Sequence, residues 1–468
     1  MYKLKTNPWI HQWKALDYVM THSQAALFTD MGSGKTKVMV DMVENRGFGL
    51  VLIVTTKKSC AVWEDQFKVH SEINPEFVYN VSEILSADKV AILKEKALRN
   101  KSRALRGVII VNYDSVWREP FKDFLLSLNL DCVICDESHK MKSAGGKASM
   151  FLARLGKRVP YRYIMSGTPA SEAPTDIYGQ YRFLKPDIFG TNFGRFKDRY
   201  LNYDRQKMAF CGYPILVKSH PYLNMDEWAD KIYSCAFYIE VNQDLPEITH
   251  RYVEQPISLK AQKIYKEFNK EGVYIDEDGV LETNNILAKM TGLQQILSGY
   301  LTLETENFTS IEKVQIDTTK ADILEEILTN ISYNERVVVF AKYRKDFDLI
   351  QSVCKKLRRS YGEISGQYDD YSKWKKGSIN VVAVQYSSGA ESIDLTESKY
   401  CVYYSHTHSY GQYLQSVKRI HRPGQKRPVI YYHIISTVKG VETVDEKIQK
   451  ALEMKMSLVE YVKEKGSS

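Results

Sequence analysis

The chain has 468 residues, 44% hydrophobic and 26% charged, with 65 Lys+Arg against 57 Asp+Glu and a net charge of +8. That balance excludes a disordered chain and supplies apolar residues for a core in each of two or three domains. No run approaches the roughly 18 uninterrupted apolar residues of a spanning helix, and Met1 to Gln12 lacks the apolar stretch of a secretory leader. The expected location is the cytoplasm, with no membrane association. The modest positive excess permits a polyanionic partner without requiring one.

In chain order, Ala25 to Phe28, Val51 to Thr55, Val108 to Asn112, Cys132 to Cys135 and Tyr163 to Ser166 read as short apolar strands. Helix-length segments such as Lys35 to Glu44 and Ala61 to Val69 separate them. This alternation predicts βαβ units and a doubly wound parallel sheet. The stretch from about 170 to about 325 is rich in Tyr, Lys and Asp, and its periodicity is mostly helical. Its acidic turn, Asp276 to Gly279, lacks the distal Glu of a calcium loop and reads as an ordinary turn. The alternation then returns with Arg336 to Phe340, Ile379 to Val384, Tyr400 to Tyr404 and Val429 to Ile435. Glu442 to Lys463 reads as a closing helix, with Thr443 as N-cap and Glu446 three residues on.

The seven cysteines form no disulfide framework. Cys132 and Cys135 make a C-x-x-C inside an apolar strand, without the second ligand pair that zinc requires. They are expected in the core. His139 and His421 likewise have no ligand cluster around them. The tyrosines of YRYIM and VYYSH are expected to pack against strands.

The sharpest local feature is TDMGSGKT, Thr29 to Thr36, between an apolar strand and a helical pattern. That is the setting of a phosphate-binding loop. Gly32 and Gly34 let backbone N–H groups turn toward a phosphate, and the helix N-terminus adds a favourable dipole. Lys35 would reach the β- and γ-phosphates, and Thr36 would offer a hydroxyl to Mg²⁺. About a hundred residues later, VICDESH places Asp136 and Glu137 at the end of a buried strand. Ligands bind beyond such carboxyl ends in open α/β sheets. Asp136 there can hold Mg²⁺, and Glu137 can orient and deprotonate an attacking water.

Thr29–Thr36 and Asp136–His139 resemble the first two ATPase motifs of superfamily-two helicases. Ser166 to Pro169, SGTP, resembles the third, and Gln12 after Pro8 resembles the upstream glutamine that reads adenine. QSVKRIHRPGQ, Gln415 to Gln425, resembles the sixth motif. The finer resemblance is to the Swi/Snf-type branch of double-stranded-DNA translocases. It rests on LPEITHRYVEQPISLKAQKIYKEF from Leu245, KADILEEIL from Lys320, VVVFAKY at Val337 to Tyr343 and GVETVDEKI at Gly440 to Ile448. The fifth-motif region, Gln385 to Leu395, keeps Gly389 and Asp394 but has Ser392 where glycine is usual. Ser409 to Gly411 stands where a WNP-like stretch is usual.

The resemblance implies two RecA-like doubly wound parallel-sheet domains in tandem, of α/β class, with helical insertions between. The expected bounds are 1–235, with an insertion from about 170, and 236–468, with an insertion at about 258–330. It implies an ATP hydrolase that uses ATP and Mg²⁺. Gln12, Met31, Gly32, Ser33, Gly34, Lys35, Thr36, Gly389 and Asp394 would bind nucleotide, with Thr36 and Asp136 at the metal. Glu137, Lys35, Arg419 and Arg422 would be catalytic, the arginines acting from the second domain. His139, Ser166, Thr168 and Gln415 would couple the ATP site to nucleic acid.

The DNA candidates are Thr55, Thr56, Lys57, Lys58, Asn112, Tyr113, Lys342, Tyr343 and Ser387. Hydroxyl, amide and ammonium groups suit backbone contacts, which position without reading sequence. The expected function is ATP-driven translocation on nucleic acid, double-stranded DNA first, by a bare monomeric motor of bacterial or phage type. A strand-separating or branch-migrating helicase, the motor subunit of a restriction or recombination complex, and a scaffold with an inactive ATP site remain alternatives.

Overall fold

A computed structural model describes residues 2–29, 32–99, 105–204, 216–217, 219–239, 245–276, 279–282, 285–304, 311–386 and 393–467. The chain divides into two compact units, 1–242 with 456–468, and 243–455.

The first unit is built on seven strands. These are β1 (Gln24–Thr29), β2 (Leu50–Thr55), β3 (Val78–Asn80), β4 (Gly107–Asn112), β5 (Cys132–Cys135), β6 (Tyr161–Met165) and β7 (Ala236–Ile239). They lie in the order β3-β4-β2-β5-β6-β1-β7, and every pairing is parallel. Runs such as LVLIVT and GVIIVN are apolar at successive positions because both faces are covered. Ala26, Phe28, Leu52, Val54 and Ile109 enter one core, while Ala25, Leu27, Val51, Ile53 and Ile110 enter the other. This is the period-two alternation of a strand sandwiched between helices. The register pairs Val54 with Cys135, Thr55 with Asn112 and Leu27 with Met165. The residues that follow β1, β2, β4, β5 and β6 therefore emerge along one sheet edge, where open α/β folds bind ligands. β3 and β7 were not legible as strands.

The second unit opens with β8 (Ile248–Pro256). The segment expected to be helical holds the helices Leu259–Glu271, Ile286–Leu297 and Thr319–Asn330. It also holds an antiparallel sheet in the order β12-β11-β10-β9, formed by β9 (Val273–Asp276), β10 (Gly279–Glu282), β11 (Tyr300–Glu304) and β12 (Ile311–Gln315). Asp276 and Gly279 are antiparallel partners at the end of β9 and the start of β10, and residues 277–278 between them lie outside the described residues. The main sheet continues with β13 (Val337–Ala341), β14 (Tyr361–Ile364), β15 (Val381–Gln385), β16 (Tyr400–Tyr403) and β17 (Val429–Thr437). Its order is β14-β15-β13-β16-β17-β8, again parallel. Both main sheets thus have the α/β class and parallel winding that the sequence implies.

The helix Val444–Ser467 begins with a reciprocal cap. Thr443 N donates to Glu446 Oε2 (2.6 Å), and Glu446 N donates to Thr443 Oγ1 (3.3 Å). Cys132 and Cys135 are buried free thiols whose pKa values burial raises well above the ordinary range. Among the described residues no cluster of three His, Cys, Asp or Glu could hold a metal ion. No described helix is long and apolar enough to cross a membrane.

Candidate active site

The loop after β1 turns through two left-handed glycines, Gly32 (φ 80°) and Gly34 (φ 78°), and Gly34 caps the helix Lys35–Arg46. Any other residue is strained at those angles. An added Cβ at Gly34 would also meet the Gln12 side-chain amide and oblige it to move. Gln12 is buried beside the loop, donating to Ser33 O (3.1 Å) and accepting from Trp9 N (2.9 Å). His11 also reaches Ser33 O, at 2.8 Å. Thr29 Oγ1 and Ser33 Oγ are 2.7 Å apart across the loop. Lys35 Nζ donates back to Thr29 O (2.8 Å), and Thr36 stands half-buried beside it on the first helical turn. Met31 lies outside the described residues.

Asp136 follows β5 on the same edge. Its Oδ2 accepts from Thr55 Oγ1 and Trp63 Nε1, both at 2.9 Å, and its Oδ1 accepts from Glu137 N (2.9 Å). Burial raises its pKa to about 6, and the neighbouring Glu137 charge adds to that. The Trp63 and Thr55 donors and the Lys35 charge act in the opposite direction. Glu137 is one of three described non-glycine residues with positive φ (47°), a conformation that marks imposed local strain.

A polar chain leads from the acid to β6. His139 Nδ1 lies 3.2 Å from Glu137 Oε2 and 3.4 Å from Ser166 Oγ, and Ser166 Oγ accepts from Thr168 N (3.1 Å). Gln180, on the helix Asp176–Leu184, ties the two segments. It accepts from Ser138 Oγ (2.6 Å) and donates to Pro169 O (2.6 Å).

The DNA candidates of this unit separate by exposure. Thr55 is fully buried on Asp136, and Tyr113 donates to Asp136 O (2.7 Å). Asn112 is buried, donating to Ser82 O (3.1 Å) and accepting from Ser115 N (3.0 Å). Thr56 Oγ1 meets Ser59 Oγ at 2.9 Å. Lys57 and Lys58 are the exposed members, with Lys57 Nζ 3.1 Å from Glu83.

In the second unit, Arg419 and Arg422 are half-buried and both donate to Ile393 O, each at 3.5 Å. Gln415 lies one turn before Arg419 on the helix Tyr410–Ile420. Asp394 Oδ1 accepts from Thr396 N (3.1 Å) and Oγ1 (2.9 Å), and Lys375 Nζ is 3.6 Å from Oδ2. Burial pushes its pKa up, but the Thr396 bonds with Lys375 and Arg422 outweigh that and hold it below the usual value. Lys342 and Tyr343, after β13, both donate to Gln294 Oε1. Gly389 and Ser387 lie outside the described residues.

Sequence reading missed Trp63, Gln180 and Gln294. The signal available for Gln180 and Gln294 was a polar side chain on the buried face of an otherwise apolar helix.

Residues 11–307 match the SNF2-related domain and 319–424 match the Helicase conserved C-terminal domain. Human DNA repair and recombination protein RAD54B is 20% identical over 73% of this chain and 41% of its own length. The uncharacterized ATP-dependent helicase YqhH of Bacillus subtilis is 23% identical over 76% of this chain and 64% of its own. Among solved structures, the Hef helicase domain of Pyrococcus furiosus covers 95% of this chain and 98% of its own, with 15% identity and a TM-score of 0.53, a likeness of fold. The chain spans about two-fifths of the length of RAD54B.

Proposed function

The chain belongs to the SNF2-related family of helicase ATPases, and on that footing we propose that it hydrolyses ATP to translocate along double-stranded DNA. The observation that carries the reading is the single sheet edge holding the glycine loop, Lys35, Asp136, Glu137, His139 and Ser166. The names of relatives such as RAD54B, a DNA repair and recombination protein, support DNA as the track.

In this reading Gln12 meets the adenine, and Gly32 to Thr36 cradle the phosphates with backbone N–H groups. Lys35 leaves Thr29 O for the β- and γ-phosphate oxygens. Asp136 and Thr36 would offer Mg²⁺ the oxygen donors it prefers. The buried Asp136 carboxylate, held toward protonation, is a group that a divalent cation would stabilise as the anion. When bound, Mg²⁺ neutralises phosphate charge. Glu137 orients and deprotonates the attacking water. Arg419 and Arg422 are the proposed arginine fingers, groups that contribute about 10³–10⁵ in rate in related systems.

The polar chain from Glu137 through His139 to Ser166, with Gln180 bridging Ser138 and Pro169, would give phosphate loss a route to the β6 end, and Thr55 and Tyr113 link β2 and β4 to Asp136. Lys57, Lys58, Lys342 and Tyr343 would contact the DNA backbone, giving sequence-independent, salt-sensitive binding.

The test measures ATP turnover with duplex DNA, single-stranded DNA and RNA, beside triplex displacement and fork unwinding. Stimulation by duplex and triplex displacement without unwinding is expected. Unwinding of a fork would favour a strand-separating helicase, and no stimulation by any nucleic acid would overturn the reading.

A further inference from the structure

Gln294 lies on the helix Ile286–Leu297 and is 1% exposed. Its Nε2 donates to His406 O (3.0 Å), which fixes the amide and turns Oε1 toward the end of β13. That oxygen accepts from both Lys342 Nζ (2.8 Å) and Tyr343 OH (2.7 Å). Successive residues of an extended segment normally point to opposite sides. Here two neighbours converge on one atom, with Lys342 Nζ also 5.0 Å from the centre of the Tyr343 ring. The backbone beneath is pinned, because Lys342 N donates to Ser405 Oγ (2.8 Å), which donates to Asp346 Oδ2 (2.6 Å).

Lys342 is a half-buried cation to which, among the described residues, no carboxylate is paired. An ammonium has three donors, and Gln294 Oε1 takes one. We infer that Gln294 is a positioning residue that aims Lys342 and Tyr343 together at one backbone phosphate of the bound nucleic acid. This rests on the reading that the end of β13 contacts nucleic acid.

The electrostatics agree. Burial lowers the Lys342 pKa to about 8, with Asp346 of the helix Arg344–Lys356 and Asp445 of the helix Val444–Ser467 drawing it back up. His408 also faces it, and burial, aided by the Lys342 charge, lowers that imidazole to about 4. Tyr343 adds a phenol that burial keeps protonated. Lys342 is therefore charged below about pH 8 and neutral above it, and a phosphate would stabilise the charged form.

The experiment measures the duplex DNA concentration giving half-maximal ATPase stimulation, from pH 6.5 to 9.5, in the full chain and in Gln294→Met, Gln294→Glu and Lys342→Ala. In the unaltered chain that concentration should rise as pH passes about 8. Gln294→Met should raise it about tenfold at neutral pH, the worth of one bond to a charged group. It should leave the rate at saturating DNA in place and shift the pH step downward. Gln294→Glu should shift the step upward, because a carboxylate favours the ammonium. Lys342→Ala should remove the step and reduce the salt slope by about 1. If Lys342→Ala leaves DNA stimulation as it was, the contact reading fails. If Lys342→Ala weakens stimulation while both Gln294 variants keep the original concentration and pH step, the positioning role of Gln294 is overturned and the contact stands.

Discussion

Trp63 donates its indole N–H to Asp136 Oδ2 over 2.9 Å, from a helix 73 residues earlier in the chain. With Thr55 Oγ1 on the same oxygen, it favours the ionised form of a buried carboxylate. Trp63→Phe should remove one donor and raise the Asp136 pKa above about 6. The acid limb of the pH–rate profile for ATP hydrolysis should move up with it. An unmoved acid limb would show that Asp136 does not control it.

The same group makes a stability prediction of opposite sign. The folded-state pKa lies above the ordinary carboxylate value, so ionised Asp136 subtracts stability at neutral pH. Protonation recovers that stability as pH falls through about 6 toward the unfolded value. Asp136→Asn removes the charge and keeps an acceptor for Thr55 or Trp63. It should raise Tm at pH 7.5 while abolishing turnover, and thermal melts at pH 7.5 and pH 4.5 should show the gain shrinking at the lower pH.

Asp136 and Glu137 were legible because a strand end is a position readable from a short segment. Their supports were not. Thr55 and Trp63 reach Asp136 across 81 and 73 residues, a proximity fixed by the strand order and invisible to local periodicity. The sheet β9 to β12 escaped for a different reason. Its strands, VYID, GVLE, YLTLE and IEKVQ, interrupt their apolar residues with polar ones, so they lack the continuous apolar run that marks a strand as short as β5. β3, with three residues, is shorter still. Thr55 and Tyr113 are expected from the sequence as DNA contacts, and in the structure their side chains donate to Asp136. A motif gives a residue's place along the chain, but not the direction of its side chain.

Glu137 sits at φ 47°, 3.2 Å from His139. Glu137→Gln keeps the shape and removes the base. Turnover should fall by about 10²–10⁴, with nucleotide affinity retained in a fluorescent-nucleotide titration. Unchanged turnover would remove Glu137 as the base.

Arg419 and Arg422 share one acceptor, Ile393 O, so each constrains the other. Single Arg→Lys variants keep the charge and lose the planar fork. Each should lower turnover at saturating ATP without a matching loss of nucleotide affinity, as expected for groups acting mainly in the transition state. A loss of affinity equal to the loss of rate would instead assign them to ground-state binding.

Lys320 Nζ and Asp445 Oδ2 form a 2.7 Å ion pair whose side chains are each 1% exposed. It joins the helix Thr319–Asn330 to the helix Val444–Ser467, and Ser436 N adds a longer bond to the same carboxylate (3.3 Å). Removing one partner strands a buried charge, so Asp445→Ala or Lys320→Ala should each cost about 3–5 kcal/mol. The double variant Lys320→Met with Asp445→Leu removes both charges and fills the space. It should recover most of that loss in denaturant melts, because a buried pair often contributes little beyond an apolar replacement. If the double variant is as unstable as the sum of the singles, the two charges are uncoupled, and each side chain stabilises the fold through its other contacts.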